Sequence, residues 1–455
     1  MSISFDSNDL FYIESNLIGE RVSLFDLAVW KNGLAFKNID FSTTGKPIIK
    51  IAELNNGISN NTAYTDKEYS DEVSLSYGDL VFSWSGNPQT SIDIYKYNLP
   101  DGWLNQHIFK ITPSVRVDKD FLFYIMKYLK PNFTKIATNK QTTGLGHVTL
   151  SDIKRINLIL PELHLQKQIA CILTSIDNKI ELNQRQNNNL EQQAQALFKS
   201  WFVDREYEVE KDTTFGVVCK CELGGTPSRV KPEYWNGNIA WINSGEVNNF
   251  RIIKASEYIT EIGLKHSATK LLPRKTTVIA ITGATLGQIS LLEIDSCTNQ
   301  SVVGILENET LPYEFIYPYI CHNIKELLSH QTGGAQQHIN KQNVEQIALS
   351  LPKATLIKDY KNIVAPIFEL IAKNCFESER LAAIRDALLP KLMSGEIDVS
   401  NVDISELPST DKSSFSILVN FALCHIFILQ VFIFNELIFQ INMTKAIPST
   451  KKDGA

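Results

Sequence analysis

Amide and hydroxyl side chains gather next to glycines at four places in the chain, and these residue types can contact nucleic acid. The places are Ser83–Asn87 (SWSGN), Lys140–Gly144 (KQTTG), Ile281–Thr285 (ITGAT) and Gln331–His338 (QTGGAQQH). Amides and hydroxyls hydrogen-bond to base edges or phosphate oxygens, and a neighbouring glycine lets the backbone come close to the ligand. The pattern is therefore compatible with contact to nucleic acid, although the same composition in any single loop is more typical of an ordinary turn. Its recurrence in both halves of the chain favours the functional interpretation without excluding inherited turns.

The candidate DNA-contacting residues carry a polar side chain or are glycines at these places. They are Ser83, Ser85, Asn87, Lys140, Gln141, Thr142, Thr143, Gly144, His147, Thr282, Thr285, Gln331, Thr332, Gly333, Gly334, Gln336, Gln337 and His338. Asn105-Gln106 and Asn299-Gln300 are as consistent with a structural role as with base reading. Lysines and arginines in Lys127–Lys140 and Arg251–Lys275 are candidates for phosphate contacts, with ordinary solvated surface as the alternative.

Motifs that mark other chemistry do not occur in the sequence. All 16 prolines are isolated, so the Asp/Asn-Pro-Pro-aromatic motif of amino-methyltransferases is missing. No glycine-rich dinucleotide motif, P-loop or nucleophile elbow is found, and the eight histidines lack metal-binding spacing. We therefore predict no catalytic centre, no metal site and no cofactor bound to this chain.

Length and composition indicate a multidomain protein of ordinary globular type. A chain of 455 residues exceeds what one core organises, so two or three domains are expected. The net charge of −6 excludes a uniformly basic nucleic-acid binder but not a local basic face. Seven scattered cysteines, and no signal sequence in Met1–Asn8, predict a reduced, cytoplasmic protein.

The chain contains one large internal repeat. An offset of 191 residues superposes His147 on His338, Ile156 on Ile347 and Pro161 on Pro352. An offset of 194 superposes Asn105-Gln106 on Asn299-Gln300. Because a period of about 190 residues is far longer than a solenoid repeat, the repeated unit is a whole domain together with the helix that follows it.

Short apolar runs between turn residues predict strands in both copies. These runs are Pro47–Ile51, Leu80–Trp84, Ile108–Ile111, Ile156–Leu160, Trp235–Trp241, Thr277–Thr282 and Ile347–Leu351. Phe121–Leu129 and Phe315–Leu328 are predicted to be short buried helices. Long helices are predicted from about Glu162 to Val203 and from about Thr355 to Met393.

A heptad pattern runs along each predicted long helix. Its residues in the first are Leu173, Ile176, Ile180, Asn183, Asn187, Leu190, Ala194, Leu197 and Trp201, and in the second Ile367, Leu370, Asn374, Leu381, Ile384 and Leu388. The spacing predicts that the two helices pair along a seam, antiparallel if a twofold axis relates the copies. A seam of about 29 residues makes a rod of roughly 43 Å. The alternative is a long surface helix on a globular core.

Several segments resemble the specificity subunits of type I restriction-modification systems. They are Leu165–Ala170 (LQKQIA), Leu197–Asp204 (LFKSWFVD), Leu388–Ile397 (LLPKLMSGEI) and the Gly225–Pro227 turn with Trp235-Asn-Gly and Trp241-Ile242. The resemblance covers about residues 20–400. It implies an α+β (mixed α/β) fold with two target-recognition domains in pseudo-twofold symmetry, separated by two long antiparallel coiled-coil helices.

The same resemblance implies the domain boundaries and a function. The recognition domains would span 1–161 and 206–352, and the spacer helices 162–205 and 353–400. Such a chain binds a bipartite double-stranded DNA target and has no enzymatic activity of its own. It scaffolds two methyltransferase subunits, which carry S-adenosylmethionine and methylate adenine, and restriction subunits, which use ATP and Mg²⁺.

Residues 401–455 form an atypical apolar tail. Phe415–Ile441 carries one charge, Glu436, and is long enough to span a bilayer, so a membrane-tethered coiled-coil adaptor is the alternative function. Polar residues along the run and little charge asymmetry at its ends argue against a span. The composition also fits out-of-frame translation of AT-rich DNA. We therefore expect a non-native extension in preference to a membrane anchor.

Overall fold

The computed structural model describes residues 11–12, 15–141, 144–329 and 338–402, which fall into two compact units. Unit 1 consists of the chain up to residue 174 together with the chain from residue 387, and unit 2 consists of residues 175–386. Each unit combines sheets with parts of two long helices. We call the sheet-bearing part of unit 1 the first domain and that of unit 2 the second domain.

Three sheets and a short strand pair form the first domain within the described residues. Their strand orders are Phe11–Tyr12, Ile156–Pro161, Gly19–Ser23; then Tyr64–Thr65, Lys46–Ile49, Gly102–Leu104, Ser74–Leu75; then Ala28–Asn32, Ile108–Pro113, Leu80–Ser83, Asp93–Lys96; and finally Ser85–Gly86 with Gly146–His147. All four side chains of Leu80–Ser83 are buried. This continuous burial is typical of a central strand that is covered on both faces.

The second domain repeats this plan. Its sheets have the orders Val209–Thr214, Ala348–Pro352; then Cys221–Leu223, Val302–Ile305, Thr277–Ala280, Ile289–Leu291; and then Glu257–Ile259, Trp235–Ile242, Ser296–Thr298, Leu271–Leu272. Val302–Ile305 lies between two antiparallel neighbours, just as Ile108–Pro113 does in the first domain. The internal repeat of the sequence is therefore also a repeat of strand topology.

Short helices connect these strands. They are Ile51–Asn56, Lys119–Tyr128, Lys130–Asn139 and Leu150–Lys154 in the first domain, and Phe215–Val218, Glu261–Lys265, Tyr313–Ser329 and Lys341–Glu345 in the second. Short 3-10 turns lie at Leu24–Leu27, Asn38–Asp40, Asp71–Val73, Pro232–Tyr234, Glu246–Asn248 and Gly283–Thr285. Matching capping boxes begin two of the helices, with Thr149 and Asp152 in one copy and Asn340 and Asn343 in the other.

The two long helices are Leu163–Phe202 and Ala354–Met393, each of 40 residues. At 1.5 Å per residue each is about 60 Å long, and the roughly 43 Å predicted for the 29-residue seam is the length of the Leu173–Trp201 part of the first helix. Within unit 2 the helices run antiparallel, because contacts that advance along one helix retreat along the other. These contacts are Arg385 Nη1 to Asp177 Oδ1 (2.7 Å), Asn374 Nδ2 to Asn187 Oδ1 (2.9 Å) and the Tyr360 ring to the Phe202 ring (5.0 Å between centroids). The predicted antiparallel pairing is confirmed.

The buried seam differs in phase from the predicted one at several positions. Leu370 is 43% exposed, and its neighbour Ile371 is buried instead. Phe368 is likewise buried, whereas the predicted seam residue Ile367 is half-buried. Four other predicted seam residues are half-buried, namely Ile180, Leu190, Leu197 and Ile384. The buried seam residues are Leu173, Ile176, Asn183, Asn187, Asn374, Leu381 and Leu388. Because apolar residues stand next to each other at 367–368 and 370–371, spacing alone did not determine which of them faces the partner helix.

A polar layer interrupts the seam of the helix pair. The Nδ2 of Asn187 donates to the carbonyl oxygen of Ile371 at 3.3 Å, and its Oδ1 accepts from Asn374. The Nδ2 of Asn183 donates to the Glu377 carboxylate at 2.9 Å. Leaving a buried amide unpaired costs about 1–3 kcal/mol, so these bonds favour one register of the two helices over its neighbours.

Most predicted elements coincide with observed ones, and two differ. Lys130–Asn139 is a helix that the sequence analysis does not predict, because a proline such as Pro131 ordinarily interrupts a helix. Proline is tolerated in the first turn of a helix, where its missing N–H would have no intrahelical partner. The predicted strand Pro47–Ile51 ends earlier, at Ile49, and Ile51 begins the helix Ile51–Asn56.

Some predictions fall on residues that the structure does not describe. The apolar run Phe415–Ile441 is one of them, so its membrane-anchor and non-native interpretations are untested. In the described part of the chain no helix has both the length and the apolarity needed to cross a bilayer.

Candidate nucleic-acid interface

In the first domain the two candidate loops lie side by side. Gly146–His147 pairs antiparallel with Ser85–Gly86, and the N–H of Val148 donates to the carbonyl oxygen of Trp84 at 2.8 Å. The fold thus joins residues about 60 positions apart in sequence into one surface. We call residues 84–87 and 144–147 the first two-loop surface.

Glycines permit this arrangement. Gly86 and Gly144 have φ angles of 129° and 85°, which side chains of L-residues rarely adopt. At Gly146 a Cβ atom would lie 2.2 Å from the carbonyl oxygen of Ala137, so any side chain there would force the loop off the helix Lys130–Asn139. The glycines that marked these loops in the sequence are required by the backbone itself.

The candidate residues of the first domain differ in their exposure to solvent. Asn87, Gln141 and Gly144 are exposed, whereas the side chains of Ser85 and His147 are half-buried. Ser83 is fully buried, because it belongs to the central strand Leu80–Ser83. Its predicted DNA contact is therefore not available in this conformation.

Carboxylates engage the lysines near this surface. Lys140 Nζ lies 2.5 and 2.6 Å from the two carboxylate oxygens of Asp152. Burial raises the pKa of the Asp152 carboxyl, but the hydrogen bonds from Lys140 and Thr149 lower it by more, and the net pKa lies below its usual value. Lys127 and Lys130 similarly bind Asp93, at 2.9 and 2.5 Å. These lysines stabilise the domain, so they are weaker candidates for phosphate contacts than the sequence suggested.

The second domain brings the equivalent segments together. Thr282 forms an antiparallel bridge with His338, and the N–H of Ile339 donates to the carbonyl oxygen of Ile281 at 3.0 Å. Gly283 has a φ of 70°, matching the role of Gly86. We call residues 281–285 and 338 the second two-loop surface. Within it His338 is exposed and both Thr282 and Thr285 are half-buried.

Eight candidate residues lie outside the described part of the chain, and their predictions remain untested. They are Thr142, Thr143, Gln331, Thr332, Gly333, Gly334, Gln336 and Gln337.

A turn adjoins each two-loop surface at the same place. The N–H of Trp84 donates to the carbonyl oxygen of His107 at 3.2 Å, and the N–H of Ile281 donates to that of Ser301 at 2.9 Å. Asn105 Oδ1 accepts the N–H of His107, and Asn299 Oδ1 accepts that of Ser301. The two asparagines therefore shape their turns, which favours the structural interpretation for them.

Trp84, within the first two-loop surface, and Asn32, beside it, were not among the candidate residues predicted from the sequence. The indole Nε1 of Trp84 donates to Asn32 Oδ1 at 3.0 Å, and the Trp84 ring stacks on Phe109 with centroids 5.5 Å apart. The side chain of Asn32 is exposed beside the first two-loop surface. Nothing local in the sequence marked Asn32, since it reaches the surface through a strand pairing of distant residues.

In unit 2 a buried arginine ties the second domain to the first long helix. The side chain of Arg251 is fully buried, and its Nη2 lies 2.7 Å from Glu191 Oε2. Its Nη1 donates to the carbonyl oxygen of Phe250 (2.8 Å) and to the hydroxyl of Tyr317 (3.1 Å). Neither proposed role, phosphate contact or solvated surface, fits a guanidinium that is excluded from solvent.

Lys275 makes the corresponding contact with the second long helix. Its Nζ lies 2.8 Å from Glu293 Oε2 and 3.2 Å from Glu369 Oε1, and its side chain is 5% exposed. Arg251 and Lys275 thus position the second domain on both helices. The basic residues at the two ends of the Arg251–Lys275 segment are structural ions.

Comparisons with known proteins point to one family. The sequence model of the type I restriction modification DNA specificity domain matches twice, at residues 20–192 and 211–385. The type I restriction enzyme HindI specificity subunit from Haemophilus influenzae is 25% identical over 359 residues, which cover 61% of this chain and 76% of that protein. The MjaIX specificity subunit from Methanocaldococcus jannaschii is 26% identical over 324 residues, covering 66% and 73%.

A solved structure supports the fold. The crystal structure of the type I restriction-modification system S subunit from M. genitalium covers 86% of this chain and 99% of its own, with a TM-score of 0.51. At 16% sequence identity it shows the fold alone. Together with the doubled domain match, it confirms the predicted class of two recognition domains with long helices.

Proposed function

The chain belongs to the type I restriction modification DNA specificity family, and on that basis we propose that each of its two domains reads one half of a split double-stranded DNA sequence. One observation carries the proposal: the same two-loop surface, built on the same backbone pairings, occurs in both domains of one chain. Two equivalent surfaces that carry different side chains suit a target made of two different half-sites.

The family assignment also bears on catalysis. The relatives are named as specificity subunits of type I restriction enzymes, and the domain that matches twice is a DNA specificity domain. This confirms the prediction that the chain is a non-catalytic part of a restriction-modification system. Methylation and cleavage then belong to other subunits, so we place S-adenosylmethionine, ATP and Mg²⁺ on those partners.

Exposed apolar side chains on the long helices support a scaffolding role. In the part of the helix pair that belongs to unit 2, Leu182 on the first helix and Ile363, Leu370 and Phe376 on the second are each between 41% and 48% exposed. Scattered apolar residues are common on surfaces, but four of them on a helix pair suit the docking of partner helices. We assign these positions to the two methyltransferase subunits of the assembled complex.

We further assign to the helix pair the task of setting the number of unread base pairs between the half-sites. One heptad lengthens a helix by about 10.5 Å, or roughly three base pairs of DNA. Inserting seven residues after Ile180 and seven after Leu381 keeps the antiparallel seam in register. The expected result is a methylated motif with unchanged half-sites and a gap longer by about three base pairs. A changed half-site with the original gap contradicts this role.

The proposed function is tested by mapping adenine methylation in a genome that carries this gene and its partner genes. Disrupting the gene should abolish methylation at one split motif, and restoring the full chain should return it. DNA binding by the complex should also weaken steeply with added salt, because phosphate contacts release counterions. An unchanged methylation map after disruption overturns the proposal.

A further inference from the structure

The turns Asn105–His107 and Asn299–Ser301 are held by the same backbone frame. The N–H of Asn105 donates to the carbonyl oxygen of Ile49 at 3.1 Å, and the N–H of Asn299 donates to the carbonyl oxygen of Ile242 at 3.0 Å. A glycine approaches each turn so closely that a Cβ atom would lie 2.2 Å from the asparagine carbonyl oxygen; these glycines are Gly33 and Gly224. Duplication has therefore kept the main chain of this turn in the same conformation in both domains.

The side chains that project from this frame are partly shared and partly different. Gln106 and Gln300 occupy the same position, and both reach solvent. The next position is an exposed histidine, His107, in the first domain and a half-buried serine, Ser301, in the second. Each turn hydrogen-bonds to the first loop of its two-loop surface, so these side chains lie on the flank of that surface.

Neighbouring contacts orient the side chains at this flank. The His107 ring lies 5.8 Å from the Trp84 ring, and its Nε2 is 3.2 Å from Gln106 Nε2. In the second domain Gln300 Oε1 accepts a hydrogen bond from the Thr226 hydroxyl at 2.5 Å. A glutamine held at one end of its amide is preorganised for hydrogen bonding to a base edge.

We propose that the residue pairs Gln106-His107 and Gln300-Ser301 are specificity-determining positions, each reading a base in its own half-site. The proposal rests on the proposed function and names residues that carry it. The glutamine amide matches the N6 and N7 atoms of adenine in the major groove. The following residue differs in hydrogen-bonding capacity, with an imidazole in one domain and a hydroxyl in the other. It therefore distinguishes the two half-sites at the adjacent base.

The test exchanges the second residue of each pair within the full chain, assembled with its partner subunits. His107→Ser and Ser301→His are made separately, and methylation is read on a library of randomised DNA targets. Each variant should shift base preference at one position of one half-site and leave the other half-site as in wild type. Gln106→Ala should lower discrimination at its base by about 5- to 150-fold.

His164→Ser is the matched control, because His164 is also exposed but lies on the first long helix. It should leave the motif unchanged. Circular dichroism checks that all variants fold, and His107→Gln serves as a second replacement at that position. If wild type methylates a split motif and every turn variant keeps the same base preferences, the inference is overturned while the proposed function stands. If wild type recognises no split motif, the proposed function itself fails.

Discussion

The two domains hold the long helices by different chemistry. In unit 1 the buried amide of Gln166 binds the first long helix to its domain: it accepts the N–H of Asp118 at 2.8 Å and donates to the carbonyl oxygens of Arg116 (3.2 Å) and Pro161 (2.8 Å). In unit 2 the buried ions Arg251 and Lys275 make the equivalent attachment. A repeated fold has therefore kept its backbone plan while the groups that fix it to the helices diverged.

The difference matters because removing one partner should lower stability by different amounts at a neutral and at a charged attachment. A buried ion that loses its partner is costly, since the remaining charge has neither water nor a counterion. A buried amide that is lost leaves backbone groups unpaired at a smaller cost. We therefore expect the second domain to be the more sensitive to single substitutions at its attachment.

Removing the partner of Arg251 should give the largest effect. Glu191→Ala leaves a fully buried guanidinium without its carboxylate and should lower the free energy of unfolding of the second domain by about 3 kcal/mol. Amide hydrogen exchange in Val302–Ile305 of the full chain measures this loss. Glu181→Ala is the control, because Glu181 pairs with the exposed Arg185 and should cost about 0.5 kcal/mol or less. Equal losses in both variants would show that the buried ion is not an anchor.

Removing the amide of Gln166 should have an intermediate effect. Gln166→Ala leaves the N–H of Asp118 and two carbonyl groups without their partner, at a cost of about 2 kcal/mol. Exchange should accelerate in Ile156–Pro161. Gln193→Ala, at an exposed glutamine of the same helix, should change stability by about 0.5 kcal/mol or less. A loss at Gln166 larger than that at Glu191 would reverse the comparison between the domains.

An acid titration should reveal how much the ion pairs of Asp93 with Lys127 and Lys130 stabilise the first domain. Burial raises the pKa of Asp93, but Lys127 and Lys130 lower it by more, to a net value below the usual 3.8. A lowered carboxyl pKa stabilises the fold above the unfolded-state value, and this stability is lost as pH falls through the folded-state value. Asp93→Asn should therefore be about 1 kcal/mol less stable near pH 7, with the difference from wild type closing below pH 3.8.

Unfolding of both proteins by urea between pH 2.5 and 7 measures this convergence. Asp66→Asn, at an exposed aspartate of the same domain, is the control and should parallel wild type throughout. A constant difference between Asp93→Asn and wild type across the range would rule out titration of Asp93 as the cause.

The smallest change in stability is expected for substitutions in the polar layer between the two long helices. Replacing Asn187 and Asn374 together by leucine removes a bonded amide pair and should be nearly neutral, within about 1 kcal/mol. The register should nevertheless become less unique. Disulfide formation between cysteines placed at Asp177 and Arg385 should then fall in yield. Leucine at the exposed Asn188 should leave the yield unchanged, and an undiminished yield in the double variant would show that the polar layer does not select the register.

Much of the fold could be predicted from residue spacing. The strands Leu80–Ser83 and Thr277–Ala280 were recognisable as short apolar runs, because a central strand is buried on both faces. Both long helices were recognisable because burial on a helix repeats at a fixed period. The segment LQKQIA, which carried part of the family resemblance, contains Gln166 and Gln168. Both glutamines prove to be buried and bonded to backbone carbonyls.

The candidate site was predicted only in part. Glycine-rich loops were recognisable because Gly86 and Gly283 adopt positive φ angles that demand glycine. Ser83, one residue before such a loop, was assigned to the surface although it ends a buried strand. Composition marks a loop without marking which of its side chains point outward, because that depends on the sheet behind it.

The sequence by itself determined the duplication, the heptad helices and the family, since each is written in the order and period of residues along one chain. The tertiary structure decided the rest. It selected Ile371 over Leu370 for the helix seam and buried Arg251 and Lys275 in ion pairs. It also joined the loops at Ser85 and His147. These outcomes depend on contacts between residues far apart in the chain, and a one-dimensional pattern contains no record of which distant side chains exclude water from one another.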